Sequence, residues 1–142
     1  MKGCVKMNKD QLLSLVNQLN LPKGEYSICS TGSLVIRGIL EKAGDLDLQV
    51  TKECFNYIKN TFKITFKTNL EVFFEKDKYN PLYKFDELDI EFFVMDKKDI
   101  LFDYVDGYPC QDVDEILNFK KQRNLDKDKI AIEKILQYKK SK

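Results

Sequence analysis

Residues 30–50, which read STGSLVIRGILEKAGDLDLQV, contain the pattern that decides the fold. A tight loop is predicted at residues 31–33, followed by a helix over residues 34–43 and a break at Gly44. Residues 45–50 alternate polar and apolar side chains, as a half-buried strand does. The segment therefore predicts a strand with one face in a core and the other face open.

Two aspartates lie two residues apart on this strand. Asp45 and Asp47 would project from one face, while Leu46 and Leu48 enter the core. Carboxylates this close repel each other and resist joint ionisation, and a bound divalent cation removes that conflict. Oxygen ligands without an imidazole favour Mg²⁺ or Mn²⁺ over zinc. The alternative interpretation is a surface strand with two solvated acids.

The loop before the predicted helix has the residues of a phosphate site. Gly32 lets the backbone approach a ligand closely, and a helix N-terminus offers free N–H groups and a partial positive charge. The Ser33 hydroxyl can donate to a phosphate oxygen or cap the same helix. Arg37, one turn later, can bind phosphate or pair with Glu41 or another acid.

The rest of the chain predicts further helices and strands around this segment. The predicted helices cover residues 8–20, 51–60, 112–123 and 127–140, and the predicted strands cover residues 25–30, 62–67, 70–76 and 87–95. Loops are predicted over residues 77–86 and, with a possible short strand, through residues 107–109. This order predicts an α/β (α+β) fold in which helices pack on a mixed β-sheet, in a single domain spanning residues 1–142.

The strand predicted over residues 87–95 supplies a third acid. Glu87, Asp89 and Glu91 lie on one of its faces, and apolar residues lie on the other. A carboxylate from this strand, next to the strand of Asp45, would complete a three-acid cluster able to hold one or two Mg²⁺ ions. The third acid can also act as a general base.

The composition excludes several kinds of site. Because the 142 residues include no histidine, Ser-His and Cys-His nucleophilic sites and His-ligated zinc are excluded. The four cysteines match no zinc or redox spacing, and Cys29 and Cys54 are predicted to be small core residues. No apolar run approaches the roughly 18 residues that cross a bilayer, and the N-terminus lacks the apolar segment of a signal peptide. We therefore expect a cytoplasmic protein without membrane contact.

The order of these motifs resembles the nucleotidyltransferase superfamily related to DNA polymerase beta. That family has a Gly-Ser or Gly-Gly pair opening a helix, then Asp-x-Asp or Asp-x-Glu on a strand, then a third acid on a later strand. Here Gly32-Ser33 is followed by eleven residues and then by Asp45-Leu46-Asp47. The whole of residues 30–50 is similar to the small stand-alone bacterial and phage members of this family.

The resemblance extends from about residue 23 to residue 137, with a core over about 23–95. Residues 108–135, within the helical part of about 112–140, are similar to the end of lincosamide-type antibiotic nucleotidyltransferases, in which a Lys-Asp pair opens the last helix. Lys127-Asp128 would be that pair. One departure is Thr31, since the family usually has a hydrophobic residue before the glycine.

The resemblance implies roles for the acids. Asp45 and Asp47 would ligate Mg²⁺ or Mn²⁺, and Asp89 would be a further ligand or the base. Asp89 is preferred because it precedes Ile90, as in the Leu-Asp-Ile step of the antibiotic enzymes, and Glu91 is the second choice. The reaction would transfer a nucleoside monophosphate from a nucleoside triphosphate to a hydroxyl or phosphate acceptor and release pyrophosphate.

The resemblance also implies how the nucleotide is bound. Gly32 and Ser33 would hold the β- and γ-phosphates, with Arg37 beside them. Four cations of the C-terminal helices would add positive charge near the triphosphate, or else lie on solvated helix faces. These cations are Lys120, Lys121, Arg123 and Lys127. The candidates for stacking on the base are Tyr26, Tyr79, Tyr83 and Tyr108, and the sequence does not choose among them.

The acceptor of that reaction would be a small molecule such as an antibiotic, a protein side chain or a tRNA end, and the sequence does not choose among them. Because the chain is short and has no separate substrate domain, a homodimer or a partner protein is expected to complete the acceptor site. An alternative function is a non-catalytic or regulatory member of a toxin–antitoxin or other defence pair. A third is a nucleic-acid-binding module using residues 118–142, which have nine bases and three acids.

Overall fold

The computed structural model describes residues 6–61, 65–66, 82–84 and 90–141. These residues form helices packed on a mixed β-sheet, which confirms the predicted fold class. The helices are α1 (Lys9–Leu19), α2 (Ser30–Ile36), α3 (Lys52–Thr61), α4 (Val113–Arg123) and α5 (Lys129–Lys140). The strands are β1 (Tyr26–Cys29), β2 (Leu46–Val50), β3 (Thr65–Phe66), β4 (Leu82–Lys84), β5 (Ile90–Val94), β6 (Phe102–Val105) and β7 (Tyr108–Gln111).

The strands lie in the order β3-β4-β5-β2-β1-β7-β6. β2 is antiparallel to β1 and parallel to β5, and β1 is parallel to β7. β4 is antiparallel to both β3 and β5, and β6 is antiparallel to β7. β2 therefore lies between β1 and β5, which brings its Asp47 next to residues of both neighbouring strands.

One face of the sheet lines the main hydrophobic core. Ile28, Leu48 and Phe92 lie side by side on β1, β2 and β5, and all three are fully buried. They pack with the apolar sides of α1 and α3 and with Val35 and Ile36 of α2. A second cluster contains residues of α2, α4 and α5. α2 thus belongs to both clusters.

The predicted helix α1 is confirmed to within one residue at each end. Its N-cap Asn8 accepts from the backbone N–H of Gln11, whose side chain accepts from the backbone of Asn8 in return, a capping box. Leu12, Val16 and Leu19 face the core, as their helical spacing indicates.

Helix α2 begins and ends earlier than predicted. It includes the supposed loop at residues 31–33 because the chain turns from β1 into the helix at Ser30, whose φ is +59°. It ends at Ile36 because Gly38 has a φ of +83° and the N–H of Ile39 bonds to the carbonyl of Leu34. This is the Schellman ending that a glycine permits.

Two predicted loops contain strands. The loop predicted over residues 77–86 contains β4, since pairing with β5 outweighs its polar surroundings. The possible short strand near residues 107–109 is a full hairpin of β6 and β7. Its turn residues Asp106 and Gly107 both have positive φ, as a two-residue hairpin turn requires. The predicted strand over residues 70–76 lies outside the described residues.

Within the described residues, the remaining predicted elements agree with the structure; the predicted strands over 62–67 and 87–95 are described only at Thr65–Phe66 and Ile90–Val94. Thr51 caps α3 by accepting from the N–H of Cys54 at 3.1 Å, and Cys29 and Cys54 are buried as predicted. Helix α5 begins two residues later than predicted, after a short 3-10 helix at Asp126–Asp128. Among the described residues, no helix has the length and apolar character needed to cross a bilayer.

Candidate functional site

The sheet register places acids from two strands next to each other. Asp47 of β2 lies opposite Glu91 of β5 and, on its other side, opposite Cys29 of β1. Their neighbours Leu48 and Phe92 point into the core, so these residues project from the opposite face of the sheet. Asp45, two residues before Asp47, completes an acid group at one end of that face.

The three carboxylates are close enough to share one ligand. One oxygen from each of Asp45, Asp47 and Glu91 lies within 4.8 Å of the other two, and all three side chains are half-buried. In the sheet, β2 carries Asp47 between β1 on one side and β5, which carries Glu91, on the other. The pairing of β2 with β5 therefore produces this cluster.

Within this cluster, the surroundings of Asp47 disfavour the ionised form of its carboxyl group. Burial, the charges of Asp45 and Glu91, and its hydrogen bond with Glu91 raise the pKa of Asp47 well above the usual range, and the charge of Lys120 opposes them. Its Oδ1 is buried and has no hydrogen-bond partner among the described residues. Burial and the charges of Asp47 and Asp45 also raise the pKa of the Cys29 thiol.

This arrangement fits a divalent cation. A buried carboxylate oxygen without a partner is costly, and a cation coordinated there would satisfy it. The donor set contains only carboxylate oxygens, which Mg²⁺ and Mn²⁺ accept. Of the two candidate third acids, Glu91 belongs to the cluster, whereas Asp89 lies outside the described residues.

Gly32 and Ser33 lie in the first turns of α2, where both are buried. A Cβ on residue 32 would lie 3.1 Å from Cγ2 of Ile28, so the glycine lets α2 pack closely on β1. The Ser33 hydroxyl donates to the carbonyl of Gln111 at 3.0 Å. The N-cap position belongs to Cys29, so the predicted capping role of Ser33 is wrong.

Arg37 at the end of α2 is bound to the β6–β7 hairpin. Its guanidinium donates to Asp103 at 3.3 Å and to the carbonyl of Gln111 at 3.1 Å, and 8% of its side chain is exposed. Of the predicted alternatives, the structure therefore contains the ion pair with another acid, and that acid is Asp103. Phosphate binding by Ser33 and Arg37 stays a prediction.

Two of the four C-terminal cations converge on one buried acid. Asp128, 2% exposed, accepts from Arg123 at 2.9 and 2.6 Å and from Lys120 at 3.3 Å. Lys120 is 4% exposed, so a solvated helix face is the wrong interpretation for it. Lys121 and Lys127 are exposed. Asp128 ends the short 3-10 helix before α5 and makes no side-chain cap.

Gln111 connects three elements beside the site, a role that the sequence did not indicate. Its side-chain oxygen accepts from the N–H of Ser30 at 2.9 Å, and its amide donates to Glu115 at 3.2 Å. With the Ser33 bond to its carbonyl, Gln111 joins the last residue of β7 to the starts of α2 and α4. A lone glutamine in a short strand has no pattern that could have revealed this.

We compared the chain with known proteins and found no match. No protein-family model matches the chain, and the searches of curated proteins and of solved structures also found no match.

Proposed function

We propose that the protein is a metal-dependent nucleotidyltransferase, which transfers a nucleoside monophosphate from a nucleoside triphosphate to a hydroxyl or phosphate acceptor. The observation that supports this most is the cluster of Asp45, Asp47 and Glu91, with Asp47 Oδ1 buried and without a partner among the described residues. The motif order Gly-Ser, helix, Asp-x-Asp and later acid supports the same reaction.

In this proposal the three acids hold Mg²⁺ or Mn²⁺. When bound, the metal would neutralise the triphosphate and lower the pKa of the attacking hydroxyl. Asp45 and Asp47 are ligands, and Glu91 or Asp89 is a ligand or the general base. The short distances between Asp45, Asp47 and Glu91 support Glu91 as a ligand.

The start of α2 would bind the phosphates in this proposal. Cys29, the last residue of β1, lies opposite Asp47, and α2 begins at the next residue. The first turn is therefore beside the acids. For the Ser33 hydroxyl to bind a phosphate oxygen, it must exchange its bond with the Gln111 carbonyl for one with the ligand. Arg37 would likewise have to leave Asp103.

The test is a calorimetric titration of the four nucleoside triphosphates with Mg²⁺ and with EDTA. Asp47→Asn is compared with wild type, and Asp96→Asn, an exposed aspartate beyond the far end of β5, is the matched control. We expect metal-dependent binding by wild type and by Asp96→Asn, and its loss in Asp47→Asn. Binding that is unaffected by EDTA or by Asp47→Asn would contradict the proposal.

A further inference from the structure

The edge strand β6 presents two aromatic residues on the acid-bearing face of the sheet. Cys110 of β7 lies opposite Ile28 of β1, and both belong to the main core. The next residue, Gln111, therefore faces the acid side, and Phe102 lies opposite Gln111. Tyr104, two residues further along β6, faces the same way.

Phe102 and Tyr104 form an aromatic pair that is partly open to solvent. Their ring centroids are 5.3 Å apart at an interplanar angle of 86°, an edge-to-face contact. Tyr104 is 54% exposed, so part of its ring is accessible to a ligand. Such a surface suits a flat ring that stacks on it.

The other described tyrosine candidates lie on the wrong side of the sheet. Tyr26 lies opposite Val50, whose side chain is in the main core. Tyr108 donates its hydroxyl to Asn17 of α1 at 3.0 Å. Tyr79 lies outside the described residues, as does the side chain of Tyr83. Phe102 and Tyr104 thus lie on the acid-bearing face, at the opposite end of the row from the acids. Phe93 of β5 faces the same side, but it lies opposite Gln49, only two residues beyond Glu91.

The spacing between the acids and the aromatic pair suits an extended nucleotide. Asp47, Cys29, Gln111 and Phe102 occupy one row across β2, β1, β7 and β6. Three strand spacings give about 14 Å between the backbones at the two ends of the row. The carboxylates lie at one end of this row and the aromatic rings at the other, and between them the side chain of Gln111 is bonded to Ser30 and Glu115.

We propose that Phe102 and Tyr104 form the surface on which the base of the nucleoside triphosphate stacks. This inference rests on the proposed function, because the acids must bind the phosphates. A base presents a π-face whatever its identity, so stacking here favours all four bases similarly. The triphosphate would be bound at the acid end of the row and the base at β6.

The first test compares Tyr104→Ala with wild type by calorimetry, using each nucleoside triphosphate and inorganic tripolyphosphate, all with Mn²⁺. Leu101→Ala is the matched control, since Leu101 is 52% exposed and lies one residue before β6. We expect Tyr104→Ala to weaken binding of all four nucleotides by at least about fivefold. Binding of tripolyphosphate should be unchanged, and Leu101→Ala should bind everything as wild type does.

The second test uses fluorescence. Because the chain has no tryptophan, Tyr104→Trp creates a single indole at the proposed surface and keeps a large ring there. We expect nucleoside triphosphates with Mn²⁺ to quench this fluorescence through stacking, whereas tripolyphosphate with Mn²⁺ leaves it unchanged. Quenching by both ligands would report a general structural change and would overturn the inference.

The outcomes separate this inference from the proposed function. Nucleotide affinities unchanged in Tyr104→Ala, with wild type still binding tripolyphosphate, would overturn the stacking surface alone. An equal loss of nucleotide and tripolyphosphate binding would give Tyr104 a structural role and overturn it as well. A wild type that binds neither ligand with metal would overturn both proposals.

Discussion

At the scale of single residues, the negatively charged form of Asp47 is destabilised by its surroundings, and a bound metal ion would relieve this. Its carboxylate is close to Asp45 and Glu91, and its Oδ1 has no hydrogen-bond partner among the described residues. Asp47→Asn keeps the shape of the side chain and cannot ionise, so it avoids the repulsion from Asp45 and Glu91. We expect the metal-free variant to be more stable than wild type by about 1 kcal/mol.

The same variant should lose its response to metal. Mn²⁺ should raise the midpoint of thermal unfolding of wild type and of the control Asp96→Asn, because a ligand that binds only the folded state stabilises it. Asp47→Asn should show little increase. A metal-free Asp47→Asn that is less stable than wild type would contradict the assigned repulsion.

Asp128 differs from Asp47 because its charge is stabilised by its neighbours. It forms ion pairs with two cations, Lys120 and Arg123. Burial raises its pKa, but the bonds with Arg123 and the charge of Lys120 outweigh burial and leave the pKa of Asp128 below its usual value. Asp128→Asn leaves Lys120 buried with a neutral partner. We expect the free energy of unfolding at pH 7 to fall by about 3 kcal/mol, measured by urea denaturation.

The pH dependence of that difference follows from the lowered pKa of Asp128. An acid whose pKa is lower in the folded state stabilises the fold above its unfolded pKa, about 3.9, and loses this contribution as the pH falls through the folded pKa. The difference between wild type and Asp128→Asn should therefore shrink below about pH 4. The exposed Asp126→Asn is the control, and a difference that grows in acid would contradict the assignment.

At the scale of elements, the packing of α2 on β1 depends on a missing side chain. A Cβ at residue 32 would lie 3.1 Å from Cγ2 of Ile28, which is fully buried and cannot move away easily. We expect Gly32→Ala to lower the free energy of unfolding by about 1–2 kcal/mol, despite the better helix propensity of alanine. Chemical denaturation measures this directly.

Gly44→Ala is the matched control for Gly32→Ala. A Cβ at residue 44 has no atom within 4 Å, and Gly44 does not have a positive φ. This variant should be as stable as wild type or slightly more stable. Equal effects at both positions would show that close packing of α2 on β1 is not what requires Gly32.

The elements also show which parts of the fold the sequence could predict. The alternation in residues 45–50 predicted β2 and the shared face of Asp45 and Asp47, and the Asn8 cap predicted α1, because these signals are local. The end of α2 was misplaced although Gly38 marks it, since the apolar spacing continues past it to residue 40. β4 lies in a polar segment whose pairing with β5 is not a local property.

The candidate site was predictable only in part, because local patterns place acids on a face of a strand but do not show which strands pair. Asp89 and Glu91 have the same side-chain direction in the sequence pattern, so alternation alone could not choose between them. The register, which puts Glu91 opposite Asp47, depends on two strands more than 40 residues apart. Gln111 and the burial of Lys120 likewise depend on contacts between distant elements, which no local pattern contains.

At the scale of the whole molecule, α2 joins two hydrophobic clusters into one structure. Its Val35 and Ile36 pack in the sheet core, whereas its Leu34 packs with α4 and α5. The two clusters should therefore unfold together. Loss of packing in the C-terminal helices would loosen α2 and, through it, the end of β1 that lies beside the acids.

Ile135 on α5 tests this coupling. It is fully buried in the second cluster, so we expect Ile135→Ala to lower the free energy of unfolding by about 3 kcal/mol. Its neighbour Leu136 is 42% exposed, and Leu136→Ala should change stability by less than about 1 kcal/mol. Urea denaturation should give one transition for Ile135→Ala, with coincident curves from far-ultraviolet circular dichroism and tyrosine fluorescence. Two separate transitions would show that the C-terminal helices unfold independently, so that the acid site could persist without them.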